Sequence, residues 1–235
     1  MSRGRGRGSS GGRLSRRGLS QRVHTARQRS HGSTLWLQRQ LNDPYVAEAQ
    51  KRGYRSRAAF KLLQLHERFD LITPSSRIVD LGCAPGGWLQ VAAEILGPQG
   101  KLVGIDLLPV DEVGKATILE GDFLDDDAPQ RLREALGGPA DLVLSDMAAN
   151  TTGHRQTDHL RTMALAESAA HFAMEILAPG GHFVSKVLQG GTEAGLLNEL
   201  KQAFETVRHA KPPASRKGST EIYLVARGFR GGDED

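Results

Sequence analysis

Ile78-Val79-Asp80-Leu81-Gly82-Cys83-Ala84-Pro85-Gly86-Gly87-Trp88 decides the fold: an apolar run meets a carboxylate, then three glycines and a proline, before a helix-like stretch from Leu89 to Leu96. The pattern predicts strand, tight turn and helix. A turn poor in Cβ atoms lets backbone N–H groups come close to a ligand, and the helix behind it adds the positive end of its dipole. An anionic or nucleotide-like ligand is expected across it. The spacing G-x-x-x-G-G is neither the dinucleotide pattern G-x-G-x-x-G nor a P-loop, because no Lys-Ser/Thr pair follows the last glycine. A glycine-rich connection that holds no ligand has the same sequence.

Asp80, directly before the first glycines, favours a cofactor with an amino group beside its carboxylate, as in the methionine part of S-adenosylmethionine. The strands and helices that follow are read as one doubly wound α/β domain with an appendage, and 235 residues suffice for a sizeable core. No apolar stretch approaches the roughly 20 residues of a membrane span. The single cysteine, Cys83, excludes an internal disulfide framework and a cysteine-built zinc site, and reads as a small turn residue. A net charge of +4 understates the asymmetry, since Arg3, Arg5, Arg7, Arg13, Arg16, Arg17, Arg22, Arg27 and Arg29 all precede the first acidic residue, Asp43. Residues 1–33 are rich in Arg, Gly and Ser, too poor in large apolar side chains to offset chain entropy, and are expected to be disordered. Such a tail can bind RNA phosphates or merely solubilise the chain. The domain is expected over 34–227 and a flexible end over 228–235.

Working outward from the loop, Asp43-Pro44 predicts an N-cap with proline at the first helical position, and Gly53 a stop. A second helix carries Ala59, Leu62, Leu63 and Phe69 at helical spacing. Arg55, Arg57 and Lys61 lie off that stripe, as a surface for a polyanion or as a solvated basic face. Strands are expected at Ile78–Leu81, Leu102–Ile105, Ile118–Leu119, Asp141–Met147, His182–Val187 and Glu221–Ala226. Asp106 ends the second, about 20 residues beyond the glycine loop, where a carboxylate can accept from ribose hydroxyls. Asp122, in Gly121-Asp122-Phe123, can accept from an adenine amino group or cap the helix Ala128–Leu136. Leu160, Met163, Ala166, Ala170, Ala173 and Leu177 mark the buried face of a long helix. Helix 193–204 and the basic loop Lys211–Gly218, with Arg216 and Lys217, complete the chain.

Four ionisable residues stand at comparable positions: Lys61 on an early helix and Asp146, Lys186 and Glu221 at strand ends or edges. A lysine between Val184, Val187 and Leu188 is costly to bury unless paired, so Lys186 either snorkels or is functional. With a loop that lacks metal ligands, the set suggests proton abstraction from a hydroxyl followed by methyl transfer. Neither H-E-x-x-H nor G-x-S-x-G is present.

These residues resemble the FtsJ/RrmJ (RlmE) family of ribosomal RNA 2′-O-ribose methyltransferases. The likeness covers about Thr34 to Arg227. It is carried by Trp36-Leu37, Asn42-Asp43-Pro44-Tyr45-Val46, Gly53 to Leu62, the opening loop, Asp106 to Pro109, Gly121-Asp122-Phe123, Ser145 to Ala148, Val184 to Val187 and Ser219 to Tyr223. It implies a Rossmann-like S-adenosylmethionine-dependent fold: a mostly parallel seven-stranded sheet with one antiparallel strand and helices on both faces. The family's tetrad falls on Lys61, Asp146, Lys186 and Glu221. Its cofactor residues fall on Gly82, Trp88, Asp106, Asp122 and Asp146, and the loop residues Asp80, Pro85, Gly86 and Gly87, with Leu107 and Phe123, are expected beside them. No metal is implied. Ala149 stands where the bacterial pattern usually has proline.

The resemblance assigns Lys186 as general base. Free lysine titrates at about 10.4. Burial, the Lys61 cation and the cofactor's sulfonium are expected to favour a neutral amine there, with Asp146 opposing them. Asp146 is expected to orient Lys186 and the hydroxyl, and Glu221 to hold one lysine.

The implied substrate is large-subunit ribosomal RNA, specifically a uridine ribose in the peptidyl-transferase A-loop. Contacts are expected from Arg55, Arg57, Lys61, Arg216 and Lys217. Related enzymes act on tRNA or messenger caps, and a non-catalytic assembly factor or a small-molecule methyltransferase are the competing classes. A monomer in the bacterial cytoplasm is expected, with the mitochondrion as alternative and no membrane attachment.

Overall fold

The computed structural model of the chain describes residues 41–149, 152–190 and 194–231. By contact density the chain divides into Met1–Pro44 and Tyr45–Asp235. The first unit is described only at 41–44. The expected tail 1–33, Trp36-Leu37, Asn150-Thr151, Glu193 and the last four residues of the expected flexible end lie outside the described residues.

Two helices come first, α1 (Pro44–Arg52) and α2 (Ala59–Phe69). There follow β1 (Arg77–Leu81), α3 (Gly87–Ile95), β2 (Lys101–Asp106), β3 (Thr117–Glu120), α4 (Ala128–Leu136), β4 (Ala140–Ser145) and α5 (Arg155–Ile176). The chain continues through β5 (Leu177–Leu188), α6 (Ala194–Ala203), β6 (Phe204–Ala210) and β7 (Glu221–Phe229). The strands form one sheet in the order β3-β2-β1-β4-β5-β7-β6. Strands β1 to β5 pair in parallel, and β7 runs antiparallel to both β5 and β6. The expected architecture is present, seven strands with one of opposite sense.

The central strands read as continuous apolar runs because both faces of the sheet are covered. Alternation along each strand sorts its side chains between the two layers. Val79, Leu81, Val103, Ile105 and Val143 pack with Leu132 of α4, Ala166 and Ala170 of α5 and Leu200 of α6. Ile78, Leu102, Leu142 and Leu144 pack on the other face with Leu62, Leu65, Leu89 and Val91 of α2 and α3. Each such fully buried aliphatic contributes about 1.5–3 kcal/mol. Asp80, between Val79 and Leu81, therefore faces the α2–α3 layer as a carboxyl inside an apolar core.

Four local differences from the sequence expectation have physical causes. Arg55 and Arg57 are not on a helix: Gly53 takes a left-handed φ of 74°, and α2 begins only at Ala59 after a tight turn. Leu160 is 61% exposed, because the first turns of α5 lie outside the packed layer. That helix ends at Ile176, so Leu177 is buried in β5 instead. The segment after the last helix, for which the sequence pattern predicts no element, is β6, an edge strand whose Glu205, Arg208 and His209 stay exposed and mask its alternation.

Candidate functional site

β1 and β4 are neighbours in the sheet, and their connections leave to opposite sides. At that reversal the carboxyl ends of parallel strands open a crevice. A cavity of about 490 Å³ lies there, lined by Gly82, Asp106, Leu107, Asp122, Phe123, Asp146 and Met147 among others. Its volume falls in the range of small-molecule sites, about 300–1,000 Å³.

The glycine turn is tied to β2: the N–H groups of Gly82 and Cys83 donate to the Ile105 carbonyl, at 2.9 and 3.2 Å. Gly82 has a φ of 76°, and a Cβ there would stand 2.6 Å from Met147 Cγ and 3.1 Å from its Cα. Close approach to the end of β4 thus requires this glycine. Gly86 and Gly87 serve different neighbours, since Cβ atoms on them would meet Arg55 Nη1 at 2.7 Å and Ser56 Oγ at 2.5 Å. These two glycines seat the turn before α2. Trp88 is buried, donates its indole N–H to the Ala58 carbonyl at 2.8 Å and packs against Tyr223, and it does not line the cavity. The Cys83 thiol is buried, and burial together with the Asp80 and Asp106 charges pushes it up, away from thiolate chemistry.

Asp106 accepts from the backbone N–H groups of Ala84 (2.8 Å) and Leu108 (2.9 Å), so its carboxylate is fixed at the rim with lone pairs still available. Asp122 accepts from the Leu124 N–H at 2.9 Å. It is not the cap of α4, because Asp127 takes the cap position. Beneath the turn, both Asp80 carboxyl oxygens are buried and have no hydrogen-bond partner. Burial first, then the Asp146 and Asp106 charges, hold this carboxyl well above the usual carboxylate range. A cavity lined by the rim carboxylates Asp106 and Asp122 and by Gly82, with an unpartnered acid buried beneath the adjoining turn, can take a nucleoside with a positively charged substituent.

Sheet register builds the other end of the site. Ser145 of β4 pairs with Ser185 of β5, and Lys186 pairs with Tyr223 of β7. Asp146, Lys186 and Tyr223 therefore stand in a row across three strands. Lys186, 6% exposed, donates to the Asp146 carbonyl at 2.6 Å and lies 3.3 Å from Asp146 Oδ1. Tyr223 donates its hydroxyl to the same Oδ1 at 2.6 Å. Lys61 descends from α2, with Nζ 3.7 Å from Asp146 Oδ2, 3.7 Å from Glu221 Oε2 and 5.4 Å from the centre of the Tyr223 ring.

Burial pushes the Asp146 carboxyl up, but the Lys186 and Lys61 cations and the Tyr223 hydroxyl outweigh it, and the group sits below its ordinary range. Burial, then the Asp146 charge that its hydroxyl faces, hold Tyr223 well above ordinary phenol, so it stays a donor. The four residues singled out from the sequence thus form one connected chain of contacts, Glu221 to Lys61 to Asp146 to Lys186, with Asp146 shared between this cluster and the cavity. Tyr223 was missed as a site residue. Its position two residues after Glu221 on a strand, hence on the same face, was the available signal.

The residues expected to face a polyanion divide. Arg57 is half-buried, donates to the Ala214 carbonyl and lies 5.8 Å over the Tyr45 ring. Arg55 is half-buried and donates to the carbonyls of Pro85, Asp111 and Glu112. Arg216 is half-buried and Lys217 exposed on the loop between β6 and β7. Among the described residues no cluster of three or more His, Cys, Asp or Glu could hold a metal ion. No described helix is long and apolar enough to cross a membrane.

The unpartnered acid under the loop yields a two-sided prediction. Its raised folded value means that stability falls as pH climbs from the ordinary carboxylate range towards that value. Asp80→Leu should raise the melting temperature of the ligand-free protein at pH 7–8, by roughly 2–4 °C for each kcal/mol recovered. The same change should weaken binding of S-adenosylmethionine, the cofactor expected from the sequence, about tenfold or more, because the acid beneath the turn is removed. Calorimetry and thermal melts measure both, and an unchanged affinity with a lower melting temperature contradicts the role.

Comparison with known proteins gives concordant matches. The model of the family described as FtsJ-like methyltransferase matches residues 54–229. A protein of Paramagnetospirillum magneticum named ribosomal RNA large subunit methyltransferase E is 63% identical, over 97% of this chain and 95% of its own. One of the same name from Rhodospirillum rubrum is 61% identical, over 93% and 86%. A crystal structure from Plasmodium falciparum described as a ribosomal RNA methyltransferase superposes with a TM-score of 0.67 at 31% identity, covering 76% of this chain and all of that one.

Proposed function

Because this chain belongs to the FtsJ-like methyltransferases, we propose that it transfers a methyl group from S-adenosylmethionine to a ribose 2′-hydroxyl of large-subunit ribosomal RNA, with Lys186 as general base. The observation that carries the reading is the row Asp146–Lys186–Tyr223, closed by Lys61 and Glu221, at the inner end of a cavity whose other end carries Asp106 and Asp122. The name shared by relatives at 63% and 61% identity supports the substrate. Its place of action is then the bacterial cytoplasm, where large subunits are assembled.

S-adenosylmethionine, when bound there, would supply the electrophilic methyl group on its sulfonium sulfur and leave as the neutral thioether. Asp106 and Asp122 would hold its ribose and adenine ends, Leu107 and Phe123 would flank the base, and Asp80 would offer an acceptor beneath the amino group. Lys186 Nζ takes the hydroxyl proton. Asp146 holds that amine through both its carboxylate and its carbonyl, so the amine has one direction left for a substrate. Tyr223 fixes the Asp146 carboxylate by donating to Oδ1. Lys61, kept in place by Glu221, adds positive potential for a developing alkoxide or an adjacent phosphate. The basic loop with Arg216 and Lys217 extends that potential towards RNA.

The test is to incubate the protein and labelled S-adenosylmethionine with large ribosomal subunits, naked ribosomal RNA and tRNA, then to map 2′-O-methylation. Label at a ribose of large-subunit RNA is expected. Label confined to tRNA, or none at saturating donor, overturns the assignment.

A further inference from the structure

We propose that Arg55 is a positioning residue for the cofactor site: its guanidinium clamps the connection after β2 to the glycine loop and thereby fixes the wall formed by Leu107 and Leu108. The inference rests on the cofactor assignment above. Three segments converge on this side chain. Nη1 donates to Pro85 of the glycine loop at 3.3 Å and to Asp111 at 2.8 Å, and Nη2 donates to Glu112 at 2.8 Å, each through a backbone carbonyl. The Arg55 backbone N–H donates to Gln90 Oε1 at 2.8 Å, and Gln90 Nε2 donates to the Gly53 carbonyl at 2.9 Å, which bolts the turn to α3. Gly86 leaves the space the guanidinium occupies, since a Cβ there would stand 2.7 Å from Nη1.

The clamp matters because of what it holds. Residues 107–116 form no helix or strand, and Leu107 and Leu108 line the cavity while remaining 61% and 64% exposed. Val113 is buried in the core, but residues 107–109 are exposed, and this front part of the segment is held by its polar anchors. Asp106 fixes one end through the Leu108 N–H, and Arg55 fixes the other through two successive carbonyls. A guanidinium presents five donors in a rigid plane and reaches these three carbonyls from two separate nitrogens, whereas an ammonium is one compact nitrogen on a flexible stem and cannot span the same positions. The same commitment takes Arg55 away from phosphate contacts, the use that its sequence position first suggests.

Isothermal titration of S-adenosylmethionine into the full chain, with filter binding of a large-subunit RNA fragment, tests this. Arg55→Ala should raise both the Kd and the KM for S-adenosylmethionine about tenfold. At saturating donor, kcat should stay within about threefold of wild type, a split that a general loss of fold does not give. RNA affinity should change less than about threefold. Arg55→Lys should not restore the donor affinity, and it carries the test if the alanine variant does not fold. Donor affinity within twofold of wild type in both variants overturns the proposal, and a loss of RNA affinity alone assigns Arg55 to the polyanion instead. If the wild type itself binds no S-adenosylmethionine, the cofactor assignment fails first.

Discussion

Lys186→Ala should lower methyl transfer by about 10²–10⁴, the usual contribution of a positioned general base, and leave S-adenosylmethionine affinity within a few-fold. The separation follows from placement: Lys186 contacts Asp146 and lies across the strand from Tyr223, but does not line the donor cavity. Lys186→Arg distinguishes base from electrostatics, because a guanidinium keeps the charge and cannot accept the proton. It should be as inactive as alanine. An arginine variant that keeps wild-type activity, or joint loss of transfer and donor binding in the alanine variant, contradicts the assignment.

Asp146→Ala should be the more damaging change overall, because one carboxylate serves both parts of the site. It accepts from Tyr223, pairs with Lys186 and Lys61, and lines the cavity. Transfer should fall by about 10³ or more as Lys186 loses its orientation, with donor affinity falling alongside it. Stability should fall too. Removing the shared partner leaves two nearly buried ammonium groups with reduced compensation, and breaking such a buried pair costs about 3–5 kcal/mol.

The sign with pH is fixed by the direction of the shift. The folded value of Asp146 is lowered, so its contribution is fully present above the unfolded value of about 3.9 and disappears as pH falls through the folded value. Urea unfolding of wild type and variant at several pH values should therefore show a gap that is widest near neutrality and closes below about pH 4. A gap independent of pH contradicts the ion-pair account, and Asp146→Asn, which keeps the side-chain volume, isolates the charge from the packing.

Much of this protein was legible in one dimension. The glycine loop after Val79-Asp80-Leu81 announced the doubly wound sheet, since an apolar strand, a turn rich in glycine and a helix have few other uses in that order. Asp106, Asp122, Asp146 and Lys186 could be picked out because each is a charged residue at the end or edge of an apolar run, a local contrast that sequence displays directly. β6 was not legible, because a partly exposed edge strand lacks the buried face that makes alternation visible. Arg55 and Arg57 were read as a basic surface because charge is visible in sequence and hydrogen-bond partners are not. Their partners, Pro85, Asp111, Glu112 and Ala214, are distant in the chain.

The sequence by itself determined the layers, the polarity of the crevice and the chemical character of the site, because apolar periodicity and the energetic cost of a buried charge are local properties. Only the tertiary structure decided which charges meet. The β4–β5–β7 register aligns Asp146, Lys186 and Tyr223, and the packing of α2 brings Lys61 to both Asp146 and Glu221. The physical reason is that strand register and helix packing are fixed by the whole core at once, while a carboxylate and an ammonium read from a sequence carry no distance between them.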